Sequence, residues 1–554
     1  MSRFALPRLA APLIVLTPCA LLIAACGDDE PIRVETEPPD VAAVMVQTDL
    51  RSDRGTIDDR WAAISQTEVP GFAGFWYDPL AEEIVVAATD PESREAAIAY
   101  AERSAIRRDF PTSPIRFKPV DYDFLELRTW KTSARPLLRR SDVAYVDADE
   151  VRNRIVVGVT SGAAMSQIDE ELRGFGVMGE GVDFAMSERG GFNSGSVVSL
   201  DESPPARAPA SSTLRDKVRP TVGGLEIDPN LRGACTLGIN TLVGGEGSDL
   251  FFATASHCSD TQWGDDTGWY EQDSGGSRIG RESHDLAPQT GSLSFNGQTY
   301  NCTSTPCRFS DVSLVAYDDT IASGDVDLGK IAFAYENSIT IIGEQLVTAE
   351  RELADLYSGL RIEMVGKESG RTKGDITATC IDWAADGGVT FDLLCQYRGD
   401  YDATFGDSGA PIYALRPNAT VALLGIHSAS PNDSSQFSTI AGVEEDLSVT
   451  LDFCIPSGCT ASAPALDVDI DGPSSVLEWV DCTYTADVTG GWGSYSYRWF
   501  IDDDSVTVDG DQEMLSIDDV GDDDFLLEVR VIDELNTGKW GRLTVDVSPS
   551  HTGC

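Results

Sequence analysis

The rhythm of hydrophobic and polar positions changes several times along this chain, and each change marks a different kind of element. From about Trp61 to Glu188 the pattern is mixed. Apolar runs at Glu83–Ala88 and Arg154–Val159 predict strands, and helically spaced apolar residues over Glu92–Arg107 and Ala164–Gly174 predict helices, so an α+β region is expected. From Thr221 to about Cys454 short strand-like runs are punctuated by glycine, asparagine and aspartate, and one longer amphipathic stretch, Leu346–Tyr357, is expected to be a helix. That texture predicts a mainly β, two-barrel domain. Beyond residue 460 the alternating runs SYSYRWFID (Ser494–Asp502) and FLLEVRVID (Phe525–Asp533) predict a smaller all-β module.

At 554 residues the chain is too long for one ordinary core, so several domains are expected. Its N-terminus reads as a targeting segment. Arg3 and Arg8 precede the apolar run Leu9–Ala25, which Pro12 and Pro18 interrupt and which is short for a membrane span. It closes on Ile23-Ala24-Ala25-Cys26-Gly27, which resembles a bacterial lipobox. Residues 1–25 then form a lipoprotein signal peptide, Cys26 is the lipidation site, and the acidic residues from Asp28 open a tether reaching to about residue 60. Ordinary secretion with cleavage near the same place is the alternative. Both readings export the protein.

Charge narrows the partners. A formal net charge of −50, from 91 acidic and 41 basic residues, excludes nucleic-acid binding driven by electrostatic attraction. Of the 12 cysteines, Cys19 falls in the signal and Cys26 at the lipobox, and the remaining even set suits an oxidising compartment. Their positions suggest bridges between successive partners: Cys235 with Cys258, Cys302 with Cys307, Cys380 with Cys395, Cys454 with Cys459, and Cys482 with Cys554.

The strongest chemical signal is GDSGAP, Gly406–Pro411, a serine set in a glycine-rich turn. Upstream lies TASHC (Thr254–Cys258), and between them SDVSLVAY (Ser310–Tyr317). Amide hydrolysis needs a nucleophile, a base to take its proton and donors for the oxyanion. Ser408, His257 and Asp311 fill the first roles, and the backbone N–H groups of Gly406 and Ser408 are expected to form the oxyanion hole. Histidine, aspartate and serine occur in the chain order of the chymotrypsin class. Residues 221 to about 455 therefore resemble a trypsin-like serine protease, nearest in texture to the streptogrisin and α-lytic branch. ESGRTKG (Glu368–Gly374) and LLGIHSAS (Leu423–Ser430) add to that resemblance, while Ala410 replaces a common second glycine.

The resemblance carries further expectations. VPGFAGFWYD (Val69–Asp78), YDFLELRTW (Tyr122–Trp130) and VDADEVRNRIVVGV (Val146–Val159) look like the propeptides of that branch, which implies that residues 61–200 template folding and then inhibit. A separate, retained binding domain is the alternative. The linker ESPPARAPASS (Glu202–Ser212) is accessible to proteolysis, and maturation is expected between about Leu214 and Thr221. Residues 460–554 resemble an immunoglobulin-like or PKD-like sandwich.

Substrate choice stays open between two readings. Asp402, six residues before Ser408, lies where trypsin-like enzymes carry a carboxylate selecting Arg or Lys, while His427 lies where glutamate-selective relatives carry a histidine; Ser428 follows it on the substrate-pairing strand. Asp467, Asp469, Asp471, Gly472 and Glu478 match a calcium-loop spacing, but no helix pattern flanks them, so no cofactor or metal is expected. The expected partners are a peptide or protein substrate, the propeptide, and a membrane through the lipid anchor. The competing function is a surface binding or adhesion lipoprotein built on a protease-like scaffold.

Overall fold

Strand pairing dominates the computed structural model, which describes residues 55–177, 179–191, 212–229, 235–243, 250–259, 267–271, 278–386, 390–416, 420–430, 434–453, 467–477, 480–489, 495–501, 504–505, 514–517, 524–533 and 538–547. The protein is mainly β. The signal, lipobox Cys26 and the tether as far as residue 54 lie outside the described residues, as do Cys454, Cys459 and Cys554; the last residues assigned to the tether, 55–60, instead open the buried helix Ile57–Thr67.

The first region alternates helices and strands as its pattern predicts. Helix Ile57–Thr67 begins on a capping box, with Thr56 and Asp59 satisfying each other's end of the first turn. It packs with helix Phe124–Ala134 over two small sheets, Phe72–Asp78 with Glu83–Ala88 and Ile115–Pro119, and Val143–Asp149 with Arg154–Val159 and Val182–Met186.

Two larger sheet systems follow. One is eight-stranded among the described residues and runs from Cys235–Thr236 through Arg278–His284, Val312–Tyr317 and Leu250–Ala255 to Ile239–Val243 and Leu451–Asp452. The other contains Thr390–Gly399, Ser435–Thr439, Thr420–Ala429, Pro411–Arg416, Arg361–Gly366 and Gly370–Asp386. Leu346–Tyr357 is not a helix. Ile341–Glu350 is a strand held between Val326–Ala334 and Thr420–Ala429, and only Leu353–Asp355 makes a short 3-10 turn. The preceding strand and one distant strand supply this segment with hydrogen bonds, and that pairing overrides its local spacing.

The disulfides Cys235–Cys258, Cys302–Cys307 and Cys380–Cys395 pair as expected, and Cys482 is also disulfide-bonded. The segment after the linker is not a loose connection. Leu214 is fully buried with Val222, Leu225 and Val365, and its N–H donates to the Ile339 carbonyl at 2.9 Å while its carbonyl accepts from Glu226 N–H at 2.8 Å.

At the C-terminal end two sheets enclose one core of Val468, Cys482, Tyr484, Trp499, Val529 and Val545. Asp467–Asp471 forms a strand there, paired with Cys482–Thr489. No described helix is long and apolar enough to cross a membrane.

Candidate active site

Register brings the histidine and the aspartate together. Strands Leu250–Ala255 and Val312–Tyr317 run antiparallel with Ala255 opposite Val312, so the residues just beyond each strand end, Ser256–His257 and Asp311, must meet. The Ser256 N–H donates to the Asp311 carbonyl at 3.1 Å and the His257 N–H to Asp311 Oδ1 at 3.1 Å. The imidazole is then oriented from one side: Nδ1 lies 2.5 Å from Asp311 Oδ2, and Nε2 lies 3.0 Å from Ser408 Oγ. An ionised carboxylate can only accept, so Nδ1 carries the proton and Nε2 accepts from the serine hydroxyl. The disulfide at Cys258 fixes the turn that carries the imidazole.

Ser408 sits in the turn between strands Thr390–Gly399 and Pro411–Arg416. Two glycines make that turn possible. Gly406 has φ +104° and Gly409 φ +91°, and a Cβ on Gly409 would strike the Thr236 carbonyl oxygen and Thr254 Oγ1. Asp407 points inward, where its buried carboxylate accepts from the N–H groups of Thr404 (2.9 Å), Glu368 (2.8 Å) and Ser369 (3.2 Å) and from Ser369 Oγ (2.6 Å). Burial raises its pKa and these bonds oppose the rise. The backbone N–H groups of Gly406 and Ser408 donate to no acceptor among the described residues.

Thr236 carried no motif signal, yet it joins the two halves of the site. Its N–H donates to the Ser408 carbonyl at 2.8 Å, its hydroxyl to the Gly406 carbonyl at 2.9 Å, and its own carbonyl accepts from Thr254 Oγ1 at 3.0 Å. Thr254 lies on the strand leading to His257, so one residue ties the serine turn to the histidine strand. Only its position beside Cys235 could have suggested this.

The residues expected to choose substrate are placed differently from one another. Asp402 is exposed instead of buried at a pocket base, and its backbone carbonyl accepts from Thr372 Oγ1 at 2.7 Å. The segment bearing it departs from the sheet at Gly399, and this sets its carboxylate toward water. His427 is fully buried on strand Thr420–Ala429, with Nδ1 2.9 Å from Tyr401 Oη and Nε2 3.3 Å from Ser430 Oγ. Burial, then the neighbouring His257, push its pKa down to about 3, so its imidazole is neutral. Ser428 is buried and its hydroxyl donates to the Gln436 carbonyl at 3.2 Å.

Comparisons with known proteins add little beyond this geometry. No family model matches the chain, and no curated protein matches its sequence. Among solved structures, Thermobifida fusca protease A is similar at 18% identity over 42% of this chain and 98% of that one, with a TM-score of 0.30. Cellulomonas bogoriensis chymotrypsin is similar at 17% identity over 42% and 98%, with a TM-score of 0.29. The CARDB domain of the PF1109 protein of Pyrococcus furiosus covers 16% of this chain and 96% of its own, at 22% identity and a TM-score of 0.13.

Proposed function

We propose that this chain is an exported serine endopeptidase whose catalytic domain, a chymotrypsin-like two-barrel fold, runs from about Ser212 to Phe453. The observation that carries the reading is the unbroken line of hydrogen bonds from Asp311 through His257 to Ser408. Ser408 Oγ attacks the scissile carbonyl while His257 Nε2 takes its proton. Asp311 holds the Nδ1–H tautomer and offsets the positive charge that develops on the ring. The backbone N–H groups of Gly406 and Ser408 receive the oxyanion. Collapse of the tetrahedral intermediate returns the proton from Nε2 to the leaving amine, and a water activated by the same nitrogen then hydrolyses the acyl-enzyme.

For substrate choice, the exposure of Asp402 weakens the Arg/Lys reading, because a carboxylate in water selects a distant cation feebly. His427 with Ser430 is the better candidate wall. The neutral ring acts there as a hydrogen-bonding dipole.

Around this domain the reading places a lipid anchor at Cys26, a propeptide-like region that assists folding, and a C-terminal immunoglobulin- or PKD-like sandwich. Three disulfides fit an oxidising compartment. The burial of Leu214 favours a processing boundary before Ser212 over one between Leu214 and Thr221. A cleavage profile on a peptide library tests the function and the specificity together. Hydrolysis by the wild type that is absent in Ser408→Ala supports the proposal; equal hydrolysis by both overturns it.

A further inference from the structure

The first region and the candidate catalytic domain share one continuous interior. Strand Val143–Asp149 pairs antiparallel with strand Gly370–Asp386, Tyr145 opposite Trp383 and Val146 opposite Asp382, so the small sheet of the first region extends the large sheet of the second. The rings of Tyr145 and Trp383 lie parallel at 6.0 Å, and the guanidinium of Arg398 covers both, 4.1 Å and 4.5 Å from their centroids. A second, larger apolar cluster contains Trp61, Phe75 and Phe124 from one side and Leu356, Tyr357 and Phe309 from the other. A sheet edge and an apolar face of this kind do not stand in water by themselves.

Charged groups are matched across the same surface. Lys131, fully buried, reaches Asp58 at 2.7 Å on its own side, and Asp382 at 3.7 Å and the Cys380 carbonyl on the other. Arg135 lies 3.7 Å from Asp392, Ser358 Oγ donates to Glu150 at 2.6 Å, and Asp109 accepts from both Arg351 and Tyr357. Separation would leave the buried carboxylates of Asp392 and Glu150 without these partners, and Lys131 without Asp382 and the Cys380 carbonyl.

The contact leaves the mouth of the site accessible. With the first region docked, Phe405, three residues before the serine, is 47% exposed, Asp402 and Ser430 are exposed, and Ser408 is partly exposed. Inhibition as implied by the propeptide resemblance requires cover over that mouth, and the described residues of the first region leave these positions open.

We infer that residues 55–191 are a lasting non-covalent partner of the catalytic domain, held by the sheet junction at Tyr145 and Trp383, with the site open while they are bound. Cutting the linker then yields a two-part protein whose catalytic half stays attached to the half that bears the proposed lipid anchor. This rests on reading 212–453 as the catalytic domain. The occupant of the surface is the chain's own first region, joined to it through the proline-, alanine- and serine-rich sequence Glu202–Ser212.

The test uses the full chain with a recognition sequence for a specific processing protease placed between Pro205 and Ala206. After cutting, gel filtration and native mass spectrometry at neutral pH are expected to show both pieces in one species, and a fluorophosphonate probe is expected to label cut and uncut protein at the same rate. Two separate species, or labelling that begins only when the first piece has left, would overturn the inference. Co-elution with no labelling in either form would count against the enzymatic reading and leave the association established.

Discussion

Arg308 and Asp285 are both buried, with the guanidinium Nη1 3.4 Å from the carboxylate Oδ1. Asp285 accepts from Ser256 Oγ at 2.7 Å, next to His257, and Arg308 Nη2 donates to the Val312 carbonyl at 3.0 Å, next to Asp311. On the other side Arg308 lies 3.6 Å from Asp446, which accepts from Phe309 and Ser310 N–H. The pair thus supports both loops that present the histidine and the aspartate. Arg308→Met strands two buried carboxylates and is expected to destabilise the domain by about 3–5 kcal/mol in denaturant unfolding. Arg278→Met, which breaks the surface pair with Asp318, is expected to stay within about 1 kcal/mol.

Asp311→Asn keeps the shape of the site but lets the amide nitrogen face His257 Nδ1, which favours the wrong tautomer. On the proposed mechanism kcat falls by about 10⁴-fold with little change in KM. A comparable loss of kcat/KM that comes from a rise in KM alone, with kcat kept, would contradict the role given to Asp311.

Gly409→Ala is expected to abolish peptide hydrolysis and lower stability, since a Cβ at φ +91° meets the Thr236 carbonyl and the Thr254 hydroxyl. Gly343→Ala, where nothing lies near the new Cβ, is the control and should leave hydrolysis intact.

Two pH dependences of opposite sign follow from burial. His427 has a folded-state pKa depressed to about 3, so the unfolded chain binds a proton that the folded one refuses below about pH 6.5. Stability should therefore fall as pH drops from about 6.5 toward 3, and His427→Gln should flatten that slope. The buried acids behave the other way. Burial raises Asp58 to about 6, Asp392 to about 7 and Glu150 to about 8, so the folded chain keeps protons that the unfolded chain has released, and stability is lost as pH rises through those values. The full chain is expected to resist denaturant better at pH 5 than at pH 9, measured by unfolding at each pH.

How much of this could be read from residues alone follows the distance over which each feature is built. The triad motifs and their flanking cysteine are local strings; His257 and Asp311 meet because adjacent strand ends bring them together, and the Ser408 turn is tied to them through Thr236. The apolar spacing of Leu346–Tyr357 fits a helix, while the pairing that decides it comes from the preceding strand Val326–Ala334 and, across many residues, from Thr420–Ala429. Asp402 was placed by counting from Ser408, and counting cannot tell where an intervening segment leaves the sheet. The junction at Tyr145 and Trp383 joins residues far apart in sequence and had no local signature; nor did the clamp made by Thr236.

The central claim is that Ser408 is an activated nucleophile, and covalent labelling tests it most directly. Full-length protein treated with a fluorophosphonate and digested for mass spectrometry is predicted to carry the adduct on Ser408, with labelling absent in Ser408→Ala and strongly reduced in His257→Ala. Folded wild-type protein that takes up no probe, or an adduct on another serine that persists in Ser408→Ala, would contradict the account.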